Sequence, residues 1–265
     1  MSFAPGPAAE VLLAARRARA MVGRLAPAIA PENEAEGVAV QHALAALQGA
    51  TNPAGFKIGA TGKRMQAYLG LTAPAGGFMV PGAIHASNAV LKFADTLHPG
   101  LECELAVRLA RDVPPGPCTQ EQAEAAVGEL MAGIELVDNR YGPMDSLHMP
   151  TTVADQFFHS AAILGAPAPA SWRTWDLTTI QGRILVNGTQ RDRGVGGELL
   201  GHPMRGLAWL ASSALATAFG GLKAGQVIML GSVTPPVWVD GPAQIRVEFS
   251  GPAPMDLSPV ELALV

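Results

Sequence analysis

Apolar residues from Ala8 to Leu25 recur at helical spacing. Val11, Leu12, Ala15, Met21, Val22 and Leu25 form the stripe, with Arg16, Arg17 and Arg19 between them. This predicts a first helix, broken by Pro27 and Pro31. A second helix is predicted from about Glu32 to Gln48, with Glu32, Glu34 and Glu36 where the helix dipole favours acids. Lys63 to Leu69 predicts a short third helix, stopped by Gly70.

The pattern then changes. Residues 72 to 100 are glycine-rich with short apolar runs, which predicts loops and short strands. From Leu101 the chain alternates: Leu101, Cys103, Leu105, Val107 and Leu109 share one face, and Glu102, Glu104, Ala106 and Arg108 the other. Thr119 and Gln122 form a capping box that predicts a helix to about Met131, and Ile134 to Val137 reads as a strand. Further on, Ile180 to Val186 predicts a strand ending in an Asn187-Gly188 hairpin turn. A buried helix is predicted over Pro203 to Phe219, with strands at Val227 to Leu230 and Gln244 to Phe249. Strands and helices do not alternate evenly, so the expected class is α+β, with a helical region over 1–75 and a β-rich core over 76–265.

Composition narrows the function classes. The 265 residues are 49% hydrophobic, enough for a large core and too apolar for disorder. The net charge of −4 offers no basic excess for phosphates, so no nucleic-acid partner is expected. The uncharged run between Arg205 and Lys223 falls short of the ~20 apolar residues a membrane span needs, so no membrane partner is expected. The arginines near the N-terminus argue against a signal peptide. Cys103 and Cys118 make no disulfide framework, so the expectation is a cytoplasmic protein.

Glu102 and Glu104 are the sharpest chemical feature. Two carboxylates on one strand face repel unless a cation lies between them, and Mg²⁺ or Mn²⁺ suits carboxylate oxygens. On spacing alone, a solvated strand face has the better claim. Glu135 lies in the apolar run Gly133-Ile134-Glu135-Leu136-Val137, where a buried carboxylate needs a partner; it reads as a third ligand or as a salt-bridge partner of Arg140. Lys57 sits in Gly55-Phe56-Lys57-Ile58-Gly59 and reads equally as an anion-stabilising group or as a snorkelling surface lysine. Gly194-Val195-Gly196-Gly197 reads as an anion cradle or as a simple loop.

These pieces in this order resemble one family. Gly55 to Thr61, Met65-Gln66, Leu69-Gly70, Glu102-Cys103-Glu104-Leu105-Ala106, Gly133 to Asp138 and Val153-Ala154-Asp155 carry the likeness. So do Gly194-Val195-Gly196, Leu200 to Pro203, and Gly225 to Ile228 with Gly231-Ser232. The chain resembles the 2-keto-4-pentenoate hydratase and 4-oxalocrotonate decarboxylase group of the fumarylacetoacetate hydrolase superfamily. The resemblance implies a mixed β-sheet roll with a helical N-terminal region, forming a homo-oligomer. It implies a lyase with a divalent metal, Mg²⁺ or Mn²⁺, on Glu102, Glu104 and Glu135. The implied substrate is a small 2-oxo or 2-hydroxy-dienoate, with hydration as the first expectation and decarboxylation of a 2-oxo-enedioate as the alternative. Lys57 and Asp155 are implied as catalytic, and Ile58, Phe158, His159, Gly194, Gly196 and Ser232 as substrate-binding.

The chain departs from the family pattern at four places. Ala75 stands where an acid is usual, Gly100 where a base is usual, and Gln156 and Phe158 replace asparagine and serine. Ala75 cannot move a proton, which leaves His159 or Asp155 to do so, and Phe158 is expected to dry the pocket. These losses also fit an impaired homologue that assembles with a related enzyme of the same pathway.

Overall fold

The computed structural model describes residues 3–251 and 255–265. Helix α1 (Pro5–Ala18) starts at prolines, whose fixed φ suits a first turn, and ends where Arg19 turns left-handed. It stops well short of Leu25, so the second half of the predicted stripe is irregular chain. Helix α2 (Glu34–Leu47) is capped by Asn33, whose side chain accepts from the Glu36 N–H. α1 packs on α2.

Strand β1 (Gly55–Gly59) follows, then α3 (Lys63–Leu69), stopped by Gly70 in the left-handed region. Strands β2 (Ala75–Met79), β3 (Ile84–Ala86) and β4 (Ala89–Leu91) are short, as the glycine-rich stretch predicts. Strand β5 (Pro99–Leu109) has the predicted alternation and extends it by two residues. The Thr119 capping box is present, but its helix α4 (Gln120–Ala126) is only seven residues long. The chain then enters the long strand β6 (Val127–Asp138), which pairs antiparallel with β5 from Pro99↔Asp138 to Leu109↔Val127. Val127 and Gly128 are poor helix formers, and pairing with β5 draws residues 127–131 into the sheet.

Helix α5 (Met149–Ala154) leads through a tight turn to β7 (His159–Leu164). Strands β8 (Gln181–Val186) and β9 (Thr189–Val195) form the predicted hairpin, with Asn187 and Gly188 both at positive φ. The predicted buried helix is two: α6 (Pro203–Ser212) and α7 (Ala214–Ala218) meet at Ser213, which is extended and caps α7 through its side chain. Strands β10 (Val227–Ser232), β11 (Val237–Trp238), β12 (Ala243–Ser250) and β13 (Val260–Leu264) complete the fold.

Two sheets result. The larger is mixed and curled, ordered β2-β1-β10-β5-β6-β7-β3 with β11 added to β5; the smaller is ordered β4-β13-β12-β8-β9. The class is α+β, with a curled sheet and N-terminal helices. Strand β1 is interior to the larger sheet, between β2 and β10, so residues 1–75 are not purely helical: they contribute one of its paired strands. Among the described residues no helix is long and apolar enough to cross a membrane.

Candidate metal centre

The site is built on one face of the larger sheet. Glu102 and Glu135 are directly opposed across β5 and β6, and Glu104 follows two residues along β5 on the same face. Ligand oxygens of the three carboxylates lie within 4.8 Å of one another. Glu104 and Glu135 are fully buried, and Glu102 is partly buried. The face continues into a small apolar cluster of Met79, Ala106, Met131 and Met229.

Lys57, also buried, reaches in from β1 and places Nζ 3.1 Å from Oε1 of Glu135. Nδ1 of His159 lies 2.9 Å from the same oxygen. Burial pushes the Glu135 carboxyl up, but Lys57 and the His159 hydrogen bond outweigh it and hold it below the usual range. The other two acids go the other way. Burial, then the charge of Glu135, raises Glu102 to about 8 and drives Glu104 well above its ordinary value. Burial lowers the His159 imidazole despite the pull of Glu135.

The residues fit a hard dication. Glu104 Oε2 accepts from the Gly231 N–H at 3.0 Å, but its Oε1 is buried without a partner. With all three carboxylates ionised, one lysine leaves two negative charges to balance. A divalent ion with oxygen ligands answers both the charge and the orphaned oxygen.

The other predicted residues fall elsewhere. Asp155 is buried in a clamp: Arg16 Nε donates to Oδ1 at 2.6 Å, while Arg140 and the Tyr141 hydroxyl, at 2.7 Å, hold Oδ2. A carboxylate so engaged is an anchor, not a free proton carrier. Ile58 follows Lys57 on β1 and turns to the opposite face, against Gly206 of α6. Ser232 bonds to the backbone of Cys103 and Thr234. Gly194 and Gly196 do not cradle an anion. A Cβ on Gly194 would sit 1.7 Å from the Val233 carbonyl oxygen, and one on Gly196 would sit 2.0 Å from that of Leu177. The Gly196 and Gly197 N–H groups already donate to Ile180 and Thr178 carbonyls. These glycines serve close packing.

The aromatic wall is Phe157, not Phe158. Its ring centroid lies 5.0 Å from Lys57 Nζ, and the ring fills the space a side chain at Gly59 would occupy. Phe158 packs edge-on against Tyr141. The swap has a backbone cause. Gln156, Phe157 and Phe158 all have positive φ, 61°, 47° and 67°, forming one left-handed turn closed by the His159 N–H to the Gln156 carbonyl. Each such non-glycine residue costs about 1–2 kcal/mol. Ala75 pairs with Gly59 beside this turn, and Gly100 gives room to the Trp238 ring.

The sequence model of the fumarylacetoacetate (FAA) hydrolase C-terminal family matches residues 63–257. The chain is similar to 2-keto-4-pentenoate hydratase of Burkholderia vietnamiensis, 30% identical over 206 residues, covering 74% of this chain and 78% of that protein. It is also similar to 4-oxalocrotonate decarboxylase of Pseudomonas putida, 31% identical over 198 residues, 74% of either chain. Its fold superposes on that of 4-oxalocrotonate decarboxylase from Pseudomonas putida G7, solved with magnesium and adipate. That match has a TM-score of 0.87 at 25% identity and covers 98% of this chain and 97% of the other. More than half the chain matches the family model, and the superposition covers nearly its whole length. The chain therefore belongs to the fumarylacetoacetate hydrolase superfamily, within the 2-keto-4-pentenoate hydratase and 4-oxalocrotonate decarboxylase family.

Proposed function

We propose that this protein is a divalent-metal-dependent lyase acting on a small 2-oxo or 2-hydroxy-enoic acid, with Mg²⁺ or Mn²⁺ held by Glu102, Glu104 and Glu135. The observation that carries the reading is the convergence of three buried or half-buried carboxylates beside a single lysine. When bound, such an ion supplies a Lewis acid that withdraws charge from an enolate. The chain's own residues do the rest. Lys57 fixes Glu135 and presents a positive charge to an anionic substrate. His159 donates to Glu135 and orients it. Phe157 keeps water from the Lys57 side and offers a flat surface to a conjugated chain.

Within this class, decarboxylation of a 2-oxo-enedioate is the better reading. Adding water across a double bond needs a positioned acid or base, and the buried Ala75 supplies none. Loss of CO₂ needs an electron sink and no base. The similarity to a decarboxylase solved with a dicarboxylate supports this order. The test runs both substrates with Mg²⁺: a 2-oxo-enedioate, followed by CO₂ release, and 2-hydroxypenta-2,4-dienoate, followed by loss of dienoate absorbance. CO₂ release that disappears in Glu102→Ala and Glu104→Ala is expected. Turnover that survives those substitutions would sink the metal assignment. Hydration without decarboxylation would reverse the order of the two reactions. No turnover of either, together with co-purification of a homologous enzyme, would favour the partner role.

A further inference from the structure

Arg16 lies 139 residues from Asp155 in the chain, on a helix that the reaction chemistry does not use. Yet its guanidinium touches both ends of the left-handed turn. Nε and Nη2 donate to the Asp155 carboxylate and carbonyl at 2.6 and 2.7 Å, and Nη1 donates to the His159 carbonyl at 3.2 Å. Between those carbonyls stand the three left-handed residues. The same turn puts Phe157 on Lys57, and at its end His159 bonds Glu135. Left-handed backbone in three consecutive non-glycine residues persists only where its surroundings over-determine it. Other restraints include the Gln156 amide on the Phe78 carbonyl, Arg140 and Tyr141 on Asp155, the His159 N–H on the Gln156 carbonyl, and the pairing of His159 with Val137. Among the described residues, Arg16 is the one side chain that bonds the carbonyls at both ends.

We propose that Arg16 is a positioning residue, a brace that holds the Gln156–Phe158 turn left-handed and so sets both Phe157 against Lys57 and His159 against the ligand Glu135. A planar fork with five donors at fixed angles can serve three acceptors at once; a lysine ammonium in its place cannot reach both ends with the same directions. The α1 helix thereby becomes part of the site's geometry. The inference rests on the metal reading only for its effect on Glu135; the brace on the turn stands without it.

The experiment uses Mn²⁺ binding, followed by electron paramagnetic resonance, and hydrogen exchange of the 156–159 amides. Both are run on the folded wild type, Arg16→Lys and Arg16→Ala, well below their melting temperatures. Arg16→Lys should bind Mn²⁺ roughly tenfold more weakly, the size typical of losing support behind a metal ligand. Its 156–159 amides should exchange faster while those of β5 and β6 stay protected. Millimolar guanidinium, but not sodium, should restore affinity to Arg16→Ala. A residue that only adds stability would lower the melting temperature and leave the affinity unchanged. Wild-type affinity and protection in Arg16→Lys overturn the proposal. So does exchange of 156–159 at surface-loop rates in the wild type, a measurement that needs no variant to fold. Absence of Mn²⁺ binding by the wild type would instead defeat the metal reading, and the exchange data would still decide the brace.

Discussion

Lys57 and Glu135 form a buried ion pair although their strands are not neighbours: β10 and β5 lie between β1 and β6. In a flat sheet those strands would stand about 14 Å apart, three spacings of ~4.8 Å. The contact at 3.1 Å closes because the sheet is curled and both side chains rise from the same face of it. The curl is thus what gathers the charges. Lys57→Met leaves Glu135 buried with its strongest cationic partner gone, and breaking such a pair costs about 3–5 kcal/mol. The metal-free variant should lose that much in urea denaturation, and saturating Mg²⁺ should return part of it. Equal losses with and without Mg²⁺ would mean that no ion shares the charge of Glu135.

The raised carboxyls set a pH dependence. Glu102 titrates near 8 in the folded protein against an ordinary value of 4.5, and Glu104 is raised as well. The folded state therefore holds protons that the unfolded chain has released, and stability contributed by these acids falls as pH rises through that window. His159, held below its ordinary 6.5, acts in the opposite sense below that value. The fall is therefore clearest between about pH 6.5 and about pH 8. In EDTA the melting temperature should drop across this interval. With saturating Mg²⁺ the drop should vanish, because the ion replaces the protons. A melting temperature in EDTA that climbs from pH 6.5 to 8 would contradict the assignment.

Glu104→Gln removes the cost of protonating a buried carboxyl on folding, while keeping shape and the Gly231 bond. The metal-free variant should melt a few degrees higher than wild type, by roughly 1 kcal/mol or more. Mn²⁺ affinity should fall at least about 100-fold. Calorimetric melting and Mn²⁺ titration check the two halves. Gain of stability with loss of binding is the mark of a residue kept for function.

Gly194→Ala tests the reading of the glycine run. The added carbon would meet the Val233 carbonyl at 1.7 Å, so β9 or the segment just after β10 must shift. Overpacking of this kind costs about 1–3 kcal/mol. A lower melting temperature with unchanged Mn²⁺ affinity is expected. A selective loss of anion binding at full stability would bring back the cradle.

Much of the centre could be read from residues alone, because strand alternation is a local signal. Glu102 and Glu104 share a face by spacing, and Glu135 stands out in an apolar run. Their convergence could not be read, since it depends on the Glu102↔Glu135 register. Phe157 was hidden for a different reason. Gln-Phe-Phe carries no glycine or asparagine to mark left-handed backbone, so the ring facing Lys57 is displaced by one residue from the one expected. Arg16 looked like part of a polar helix face; only packing of α1 near β7 turns it inward. Residues 127–131 mislead towards helix because their partner strand lies far back in the chain.

The direct opposition of Glu102 and Glu135 also bears on how the chain reaches its native state. Like charges facing each other across two strands oppose zippering, and this ladder is the longest in the molecule. An ion or a proton that quiets the repulsion would lower the barrier to forming it. Refolding from urea should therefore run faster in Mg²⁺ than in EDTA at neutral pH, making the cation an aid to assembly before it is an aid to turnover.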